Sequence, residues 1–105
     1  KERFSLKAMR TSRPVEGKIS RVAMCGGSGG SLIAAAQAAG AQLYISGDIS
    51  YHNFFTKEGF MIMDIGHYES EIEIVDILFS LLRKKFPTFA VRITQNLYSN
   101  PIFYF

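Results

Sequence analysis

The chain is organised around Asp64-Ile65-Gly66-His67-Tyr68-Glu69-Ser70-Glu71, where an apolar run at 60–63 passes through a glycine into a long periodic segment. From there the spacings of four, three and four predict one helix to about residue 86, with a stripe formed by Glu71, Val75, Leu78 and Leu82. The spacing thus predicts that Glu71 shares a face with buried aliphatic residues. Because a carboxylate that loses its water needs a cation or hydrogen bonds in exchange, this junction is the first candidate for a functional site.

A histidine stands one helical turn before this glutamate. His67 and Glu71 are separated by four residues, so an imidazole nitrogen and a carboxylate oxygen can ligate one metal ion, with zinc, iron and manganese all suited to the pair. The same residues have plainer explanations. Glu71 can favour the positive end of the helix dipole, and His67 can be a capping residue. Spacing alone leaves both interpretations open.

Two strand-and-helix units precede the junction. In the first, the strand 19–25 runs into a glycine-rich turn and then a helix over 32–39 that stops at Gly40. In the second, the strand 42–46 is followed by Gly47-Asp48 and a short helix from Ser50 to Gly59. We also expect a weak edge strand at 4–10, a fourth strand at 89–94, a turn at 96–101 and a last short strand at 102–105.

This alternation predicts an α/β fold, a single domain over residues 1–105 with a mostly parallel sheet and helices on both faces. The carboxyl ends of parallel strands meet at one edge of a sheet, where ligands bind. We therefore expect Asp48, His52 and the pair His67 and Glu71 to share one face.

The other polar candidates have alternatives of their own. The glycine-rich turn, Gly26, Gly27, Ser28 and Gly29, has the order of a phosphate-binding loop, but it lacks the lysine of a Walker loop and equally suits a tight turn beside an alanine-rich helix. Asp48 is either a helix cap or a site residue. His52 is either a group that orients a ligand or a surface histidine. Cys25 is better explained as a small buried side chain than as a nucleophile.

Composition narrows the class of protein. Seven of the twelve basic residues lie in the first 21 positions, but they are spaced out and carry no binding motif, so we interpret them as a solvated face and do not expect nucleic acid as a partner. The single cysteine favours a cytoplasmic protein, and no apolar stretch approaches the roughly twenty residues of a membrane span. Because the chain opens at Lys1 within patterned sequence, we expect it to be the C-terminal fragment of a longer protein.

Three motifs in order give a more specific indication. They are Val22-Ala23-Met24-Cys25-Gly26-Gly27-Ser28-Gly29, then Ser46-Gly47-Asp48-Ile49-Ser50-Tyr51-His52, then the stretch from Asp64 to Glu71. Together they resemble the C-terminal half of the Nif-three-like family, whose members are also labelled GTP cyclohydrolase I type 2 homologues. The resemblance runs from about Arg21 to the end and includes Asn100-Pro101.

The resemblance implies an α/β protein that forms oligomeric rings and holds a pair of divalent metals in a cleft, with His67 and Glu71 as the ligands of this half. The family's other ligands belong to its N-terminal half, so an incomplete site is expected here. Two hypotheses follow. One is a metal-dependent hydrolase acting on a small or nucleotide-derived substrate, with Asp48 and His52 as second-shell or acid/base groups and residues 26–29 as a phosphate or backbone contact. The other is a regulatory or protein-interaction module with a structural metal. In either case we expect a homo-oligomer.

Overall fold

The computed structural model describes residues 6–95 and 100–105. The chain forms two compact units, Lys1–Glu71 and Ile72–Phe105. The strands described by the structure all lie in the first unit, as do the candidate site residues.

The sheet of the first unit is mostly parallel. Its strands are β1 (Arg10–Thr11), β2 (Val22–Ser28), β3 (Leu43–Gly47) and β4 (Met61–Asp64), in the spatial order β1-β4-β3-β2. Strands β2, β3 and β4 are parallel neighbours, whereas β1 runs antiparallel to β4. The predicted α/β class with a mostly parallel sheet is confirmed, and the antiparallel edge strand is an addition to it.

The helices are shorter than the sequence suggested. They are α1 (Ile33–Ala38), α2 (His67–Glu71) and α3 (Ile74–Lys85), with short 3-10 turns at Gly30–Leu32 and Tyr51–Phe54. Gly40 ends α1 as predicted, because it adopts φ +75° and its N–H donates to Gln37 while that of Ala41 donates to Ala36, the two bonds of a Schellman motif. No helix in the part of the chain that the structure describes is long and apolar enough to cross a bilayer.

The core of the first unit lies between the sheet and α1. Its buried cluster is Ala36, Ala41, Tyr44, Ile49, Phe60 and Ile62, against which Ala23, Cys25, Ile33 and Phe54 pack. Cys25 is therefore partly buried in apolar surroundings, close to the role predicted for it. Leu78 and Leu82, which we expected to be buried, are 51% and 44% exposed. The stripe predicted on α3 is therefore not a buried one.

The single long helix predicted after the junction is wrong, since a turn at residues 72–73 separates α2 from α3. Two local features disfavour a continuous helix there. Glu69 and Glu73 are like charges four residues apart, and Ile72, Ile74 and Val75 are β-branched residues with restricted rotamers in a helix. Because of this interruption, Glu71 does not continue a buried stripe and is itself exposed.

Three strand predictions also need correction. The edge strand is Arg10–Thr11, so only Arg10 of the described part of the predicted 4–10 segment belongs to it. Residues 89–94 form no strand, because the N–H groups of Phe89 and Val91 donate instead to local carbonyls in successive turns. Residues 102–105 form no strand either, and the predicted turn at 96–101 falls mostly on residues outside those described.

Candidate functional site

The carboxyl ends of β3 and β4 meet at one point of the sheet. Gly47 ends β3, and a Cβ placed on it would lie 2.7 Å from the His67 backbone nitrogen and 2.8 Å from the Gly66 carbonyl carbon. A side chain at residue 47 would therefore separate the two strand ends. Because this glycine permits the close approach, the next residue, Asp48, stands beside the first residue of α2.

His67 connects two carboxylates. Its Nδ1 lies 2.7 Å from Asp48 Oδ2, and its Nε2 lies 3.2 Å from Glu71 Oε2. All three side chains are about half exposed, so the cluster is open to solvent and to a small ligand. The structure thus brings together three of the four titratable residues that the sequence singled out.

The carboxylates affect the protonation of the imidazole. The hydrogen bond with Asp48 raises the pKa of His67 above its ordinary value. Loss of hydration opposes this shift, and the negative charges of Glu71 and Asp48 add to it. The imidazolium form of His67 is therefore more favoured than in a free histidine. A metal ion and a proton compete for the nitrogen that faces Glu71.

The glycine run forms a wall against this cluster. Three residues of β2, numbers 25–27, stand opposite one residue of β3, so the strand bulges at this point. At the bulge Gly27 has φ +67°, and a Cβ there would overlap the Glu71 carboxylate and lie 3.3 Å from His67 Nε2. The space beside His67 Nε2 and the Glu71 carboxylate is therefore open because residue 27 is glycine. This bulge also explains why β2 extends to Ser28, three residues beyond the predicted strand end.

Three residues that sequence reasoning missed hold this wall in place. Ser70 Oγ accepts a hydrogen bond from the Gly27 N–H at 2.8 Å and donates to the His67 carbonyl at 2.7 Å. Beneath the run, the Tyr44 hydroxyl donates to the Gly29 carbonyl and the Ser46 hydroxyl to that of Gly27. Burial raises the pKa of the Tyr44 phenol, which keeps it a neutral donor. The only sequence signal for these roles was that Tyr44 and Ser46, two residues apart, carry hydroxyl groups on an otherwise apolar strand.

The predicted phosphate loop has part of its hydrogen-bonding capacity engaged internally. The Gly27 N–H bonds to Ser70, and the Gly29 N–H lies 3.3 Å from the Gly47 carbonyl. A phosphate-binding loop needs N–H groups directed at its anion. The glycine-rich run therefore forms a wall of the site, where the absence of a side chain at Gly27 leaves room beside His67 and Glu71.

His52 has different neighbours from the cluster of Asp48, His67 and Glu71. It is exposed in the 3-10 turn, and its ring packs edge-on against Tyr51 at 5.5 Å. Within residues 6–95 and 100–105, no hydrogen bond or ion pair joins this ring to Asp48, His67 or Glu71.

The donor set suits a divalent cation as a partial site. His67 Nε2 and Glu71 Oε2 lie 3.2 Å apart, close enough that both atoms could bind one divalent cation. In the described part of the chain, no group of three or more His, Cys, Asp or Glu side chains is arranged to hold a metal. His67 and Glu71 thus supply two converging donor atoms, fewer than the three or four protein ligands of a tight zinc site.

The chain resembles known proteins over a limited part of their length. It is 47% identical over 66 residues to a GTP cyclohydrolase 1 type 2 homolog of Streptococcus pneumoniae, covering 61% of this chain and 24% of that protein. It is 40% identical over 67 residues to the homolog of Nostoc, covering 62% of this chain and 26% of that protein. The chain therefore spans about a quarter of the length of these relatives.

Solved structures agree with this relationship. A hypothetical protein of Staphylococcus aureus superposes with a TM-score of 0.84 at 25% identity, covering 99% of this chain and 36% of that one. A Bacillus cereus protein related to NIF3 gives 0.76 at 25% identity, covering 99% and 30%. The family model of Duf34/NIF3 (NGG1p interacting factor 3) matches residues 1–101. With its three motifs and its fold in agreement, this chain belongs to the Duf34/NIF3 family.

Proposed function

We propose that this chain contributes His67 and Glu71 as ligands of a divalent metal in a metal-dependent hydrolase that acts on a small or nucleotide-derived substrate. The observation that carries the proposal is the convergence of His67 Nε2 and Glu71 Oε2 at 3.2 Å beside a position that only a glycine leaves open. Imidazole and carboxylate donors suit zinc, iron or manganese. A metal held by these two residues would act as a Lewis acid and would lower the pKa of water.

The remaining residues of the proposed site have supporting roles. Asp48 and His52 are proposed as second-shell or acid/base groups, of which Asp48 is in direct hydrogen bond with the imidazole. Residues 26–29 are proposed as the backbone contact for the substrate, since the bulge brings Gly27 next to both ligands. The half-exposed cluster leaves room for a substrate to approach from solvent.

Manganese broadening in NMR spectra tests the ligand assignment on the chain itself, because paramagnetic broadening detects even weak binding. Because the chain supplies two protein ligands, whereas tight zinc sites usually use three or four, we expect weak binding. Substoichiometric Mn²⁺ should selectively broaden the signals of His67 and Glu71, and His67→Ala and Glu71→Ala should each abolish the effect. Glu58→Gln, which removes an exposed carboxylate elsewhere in the first unit, is the matched control and should leave the broadening intact. Broadening that ignores both ligand variants would contradict the assignment.

Hydrolysis assays separate catalysis from binding. A panel of nucleotides including GTP, incubated with zinc or manganese, should be tested on the chain and on the full-length Streptococcus pneumoniae relative. Metal-dependent turnover that is lost when the metal-binding histidine is replaced supports the hydrolase. Inactivity of every metal-loaded sample supports a regulatory module with a structural metal.

A further inference from the structure

The backbone of Asp48 is unusual in this chain. Among the described residues it is the one non-glycine residue with a positive φ, at +51°. In this left-handed region the Cβ of an L-residue makes unfavourable steric contacts that glycine avoids, although aspartate tolerates the region better than most residues. A side chain kept at such a position is therefore expected to serve a contact that glycine cannot make.

That contact is with His67 and not with the following turn. The N-cap of the 3-10 turn is Ser50, and no side-chain hydrogen bond caps it. The Asp48 carboxylate instead meets His67 Nδ1 at 2.7 Å, on the ring nitrogen opposite the one that faces Glu71. The close approach at Gly47 places the two residues together, since β3 and α2 almost touch there.

A neutral imidazole carries one proton, and only the bare nitrogen binds a metal. A carboxylate that accepts a hydrogen bond from Nδ1–H fixes the tautomer, holds the ring in one orientation and leaves the Nε2 lone pair free toward Glu71. We propose that Asp48 is the positioning residue of the site: through its left-handed backbone it holds His67 as the Nδ1–H tautomer, so that Nε2 is presented as a ligand. The effect of Asp48 on metal binding rests on the proposed function, whereas its effect on the His67 tautomer does not.

The tautomer is tested first, on metal-free chain labelled with ¹⁵N at histidine. Long-range proton–nitrogen spectra, recorded at a pH where His67 is neutral, should show the proton on Nδ1 in the wild type. In Asp48→Ala the proton should redistribute toward Nε2, while Asp48→Asn, which keeps an acceptor oxygen, should retain much of the wild-type pattern. An unchanged tautomer in Asp48→Ala, or a bare Nδ1 in the wild type, would overturn the proposal.

Metal affinity is tested second, by Mn²⁺ titration of the same variants. Loss of a carboxylate that orients a ligating histidine typically lowers metal affinity by about 10- to 100-fold, and we expect a loss in this range for Asp48→Ala and Asp48→Gly. Glu58→Gln should bind as the wild type does. Equal affinity in Asp48→Ala and the wild type would contradict the positioning role.

The glycine variant separates positioning from folding. Asp48→Gly removes the steric cost at φ +51°, so its melting temperature should equal or exceed that of the wild type while its affinity falls. A parallel fall of both would assign Asp48 a structural role and overturn the proposal. Failure of the wild type to bind Mn²⁺ at His67 would refute the proposed function, and the tautomer result would still decide the role of Asp48.

Discussion

At the scale of single residues, the candidate site depends on small groups as much as on charged ones. Gly47 lets the ends of β3 and β4 meet, and Gly27 leaves space beside the two donor atoms. Larger residues at either position would separate or cover the cluster of Asp48, His67 and Glu71. The charged residues thus obtain their geometry from neighbours that carry no side chain.

The elevated pKa of His67 gives a pH dependence whose sign follows from the structure. Because the folded state favours the imidazolium, the stabilisation is fully present below the ordinary histidine pKa and is lost as pH rises through the higher folded value. We expect an NMR titration of the metal-free chain to give His67 a pKa above 6.5. Unfolding experiments should show a slight loss of stability as the pH rises from the ordinary histidine pKa through this higher value. The effect should be slight, since the ring is 47% exposed.

A variant of Asp48, the residue that contributes most to this pKa shift, provides the comparison. Asp48→Asn removes the charge while retaining a hydrogen-bond acceptor, so the pKa of His67 should fall toward its ordinary value. If the pKa were the same in both proteins, the charge of Asp48 would contribute nothing measurable to the shift.

At the scale of elements, the sequence correctly predicted those helices and strands whose bounds are determined by local patterns. The strand β3, the helix α1 and its glycine stop were each marked by composition and by turn residues, and each was found within one or two residues. The extent of β2 was missed because a bulge takes Gly26 and Gly27 into the strand, and glycine ordinarily indicates a loop.

The long helix was missed for a different reason. The apolar spacing continues across residues 72–73, but the backbone forms a turn there. The spacing of apolar residues does not indicate where the backbone of a helix is interrupted. For the site, the sequence named Asp48, His67 and Glu71, yet it left the role of Asp48 open. Which nitrogen of a histidine faces which carboxylate depends on tertiary contacts between β3 and α2, which no spacing within either element encodes.

The contact of β1 with β4 rests on a buried carboxylate. Asp64 is 5% exposed and accepts hydrogen bonds from Arg10 and from the N–H groups of Ile49 and Gly66, both at 3.0 Å. The same guanidinium donates to the Ile49 carbonyl at 2.9 Å and lies over the Phe54 ring. One arginine thus connects the edge strand, the segment after β3 and the end of β4.

Replacing this arginine should destabilise the first unit. Arg10→Met leaves the Asp64 charge buried without its cation, and we expect a loss of about 1–3 kcal/mol in the free energy of unfolding by urea. The loss should be smaller than for a fully buried pair, because the Arg10 side chain is 61% exposed. Arg13→Met, an exposed position on the same segment, should change stability little. Equal stability of the two variants would show that the ion pair contributes nothing measurable.

At the scale of the whole molecule, the second unit carries an apolar helix surface. Ile74, Ile77, Leu78 and Leu81 recur along α3 at spacings of three, one and three, and each is about half exposed. Exposed apolar side chains continue at the chain end with Phe103 and Phe105. A row of exposed apolar side chains along one helix is typical of an interface. It supports our expectation of a homo-oligomer.

The charges on α3 suggest how two copies would pair. Glu73 stands at its start and Lys84 near its end, eleven residues apart, so in a helix they differ by only about 20° and lie on the same flank of the apolar stripe. The midpoint between them falls at Leu78, in the centre of that stripe. If two copies pair antiparallel about this point, Glu73 of each meets Lys84 of the other at both ends, an isologous arrangement with complementary charges.

We therefore expect light scattering to show concentration-dependent self-association of the chain across micromolar concentrations. Glu73→Lys and Lys84→Glu should each weaken it by placing like charges opposite each other, and the double exchange should restore it. Asp76→Lys changes the net charge as Glu73→Lys does, but it lies about 150° from the middle of the stripe and should leave association unchanged. A monomer at every concentration would refute self-association. Association that ignores the charge exchanges but is lost on truncation of Phe103 to Phe105 would assign the interface to the aromatic chain end and not to α3.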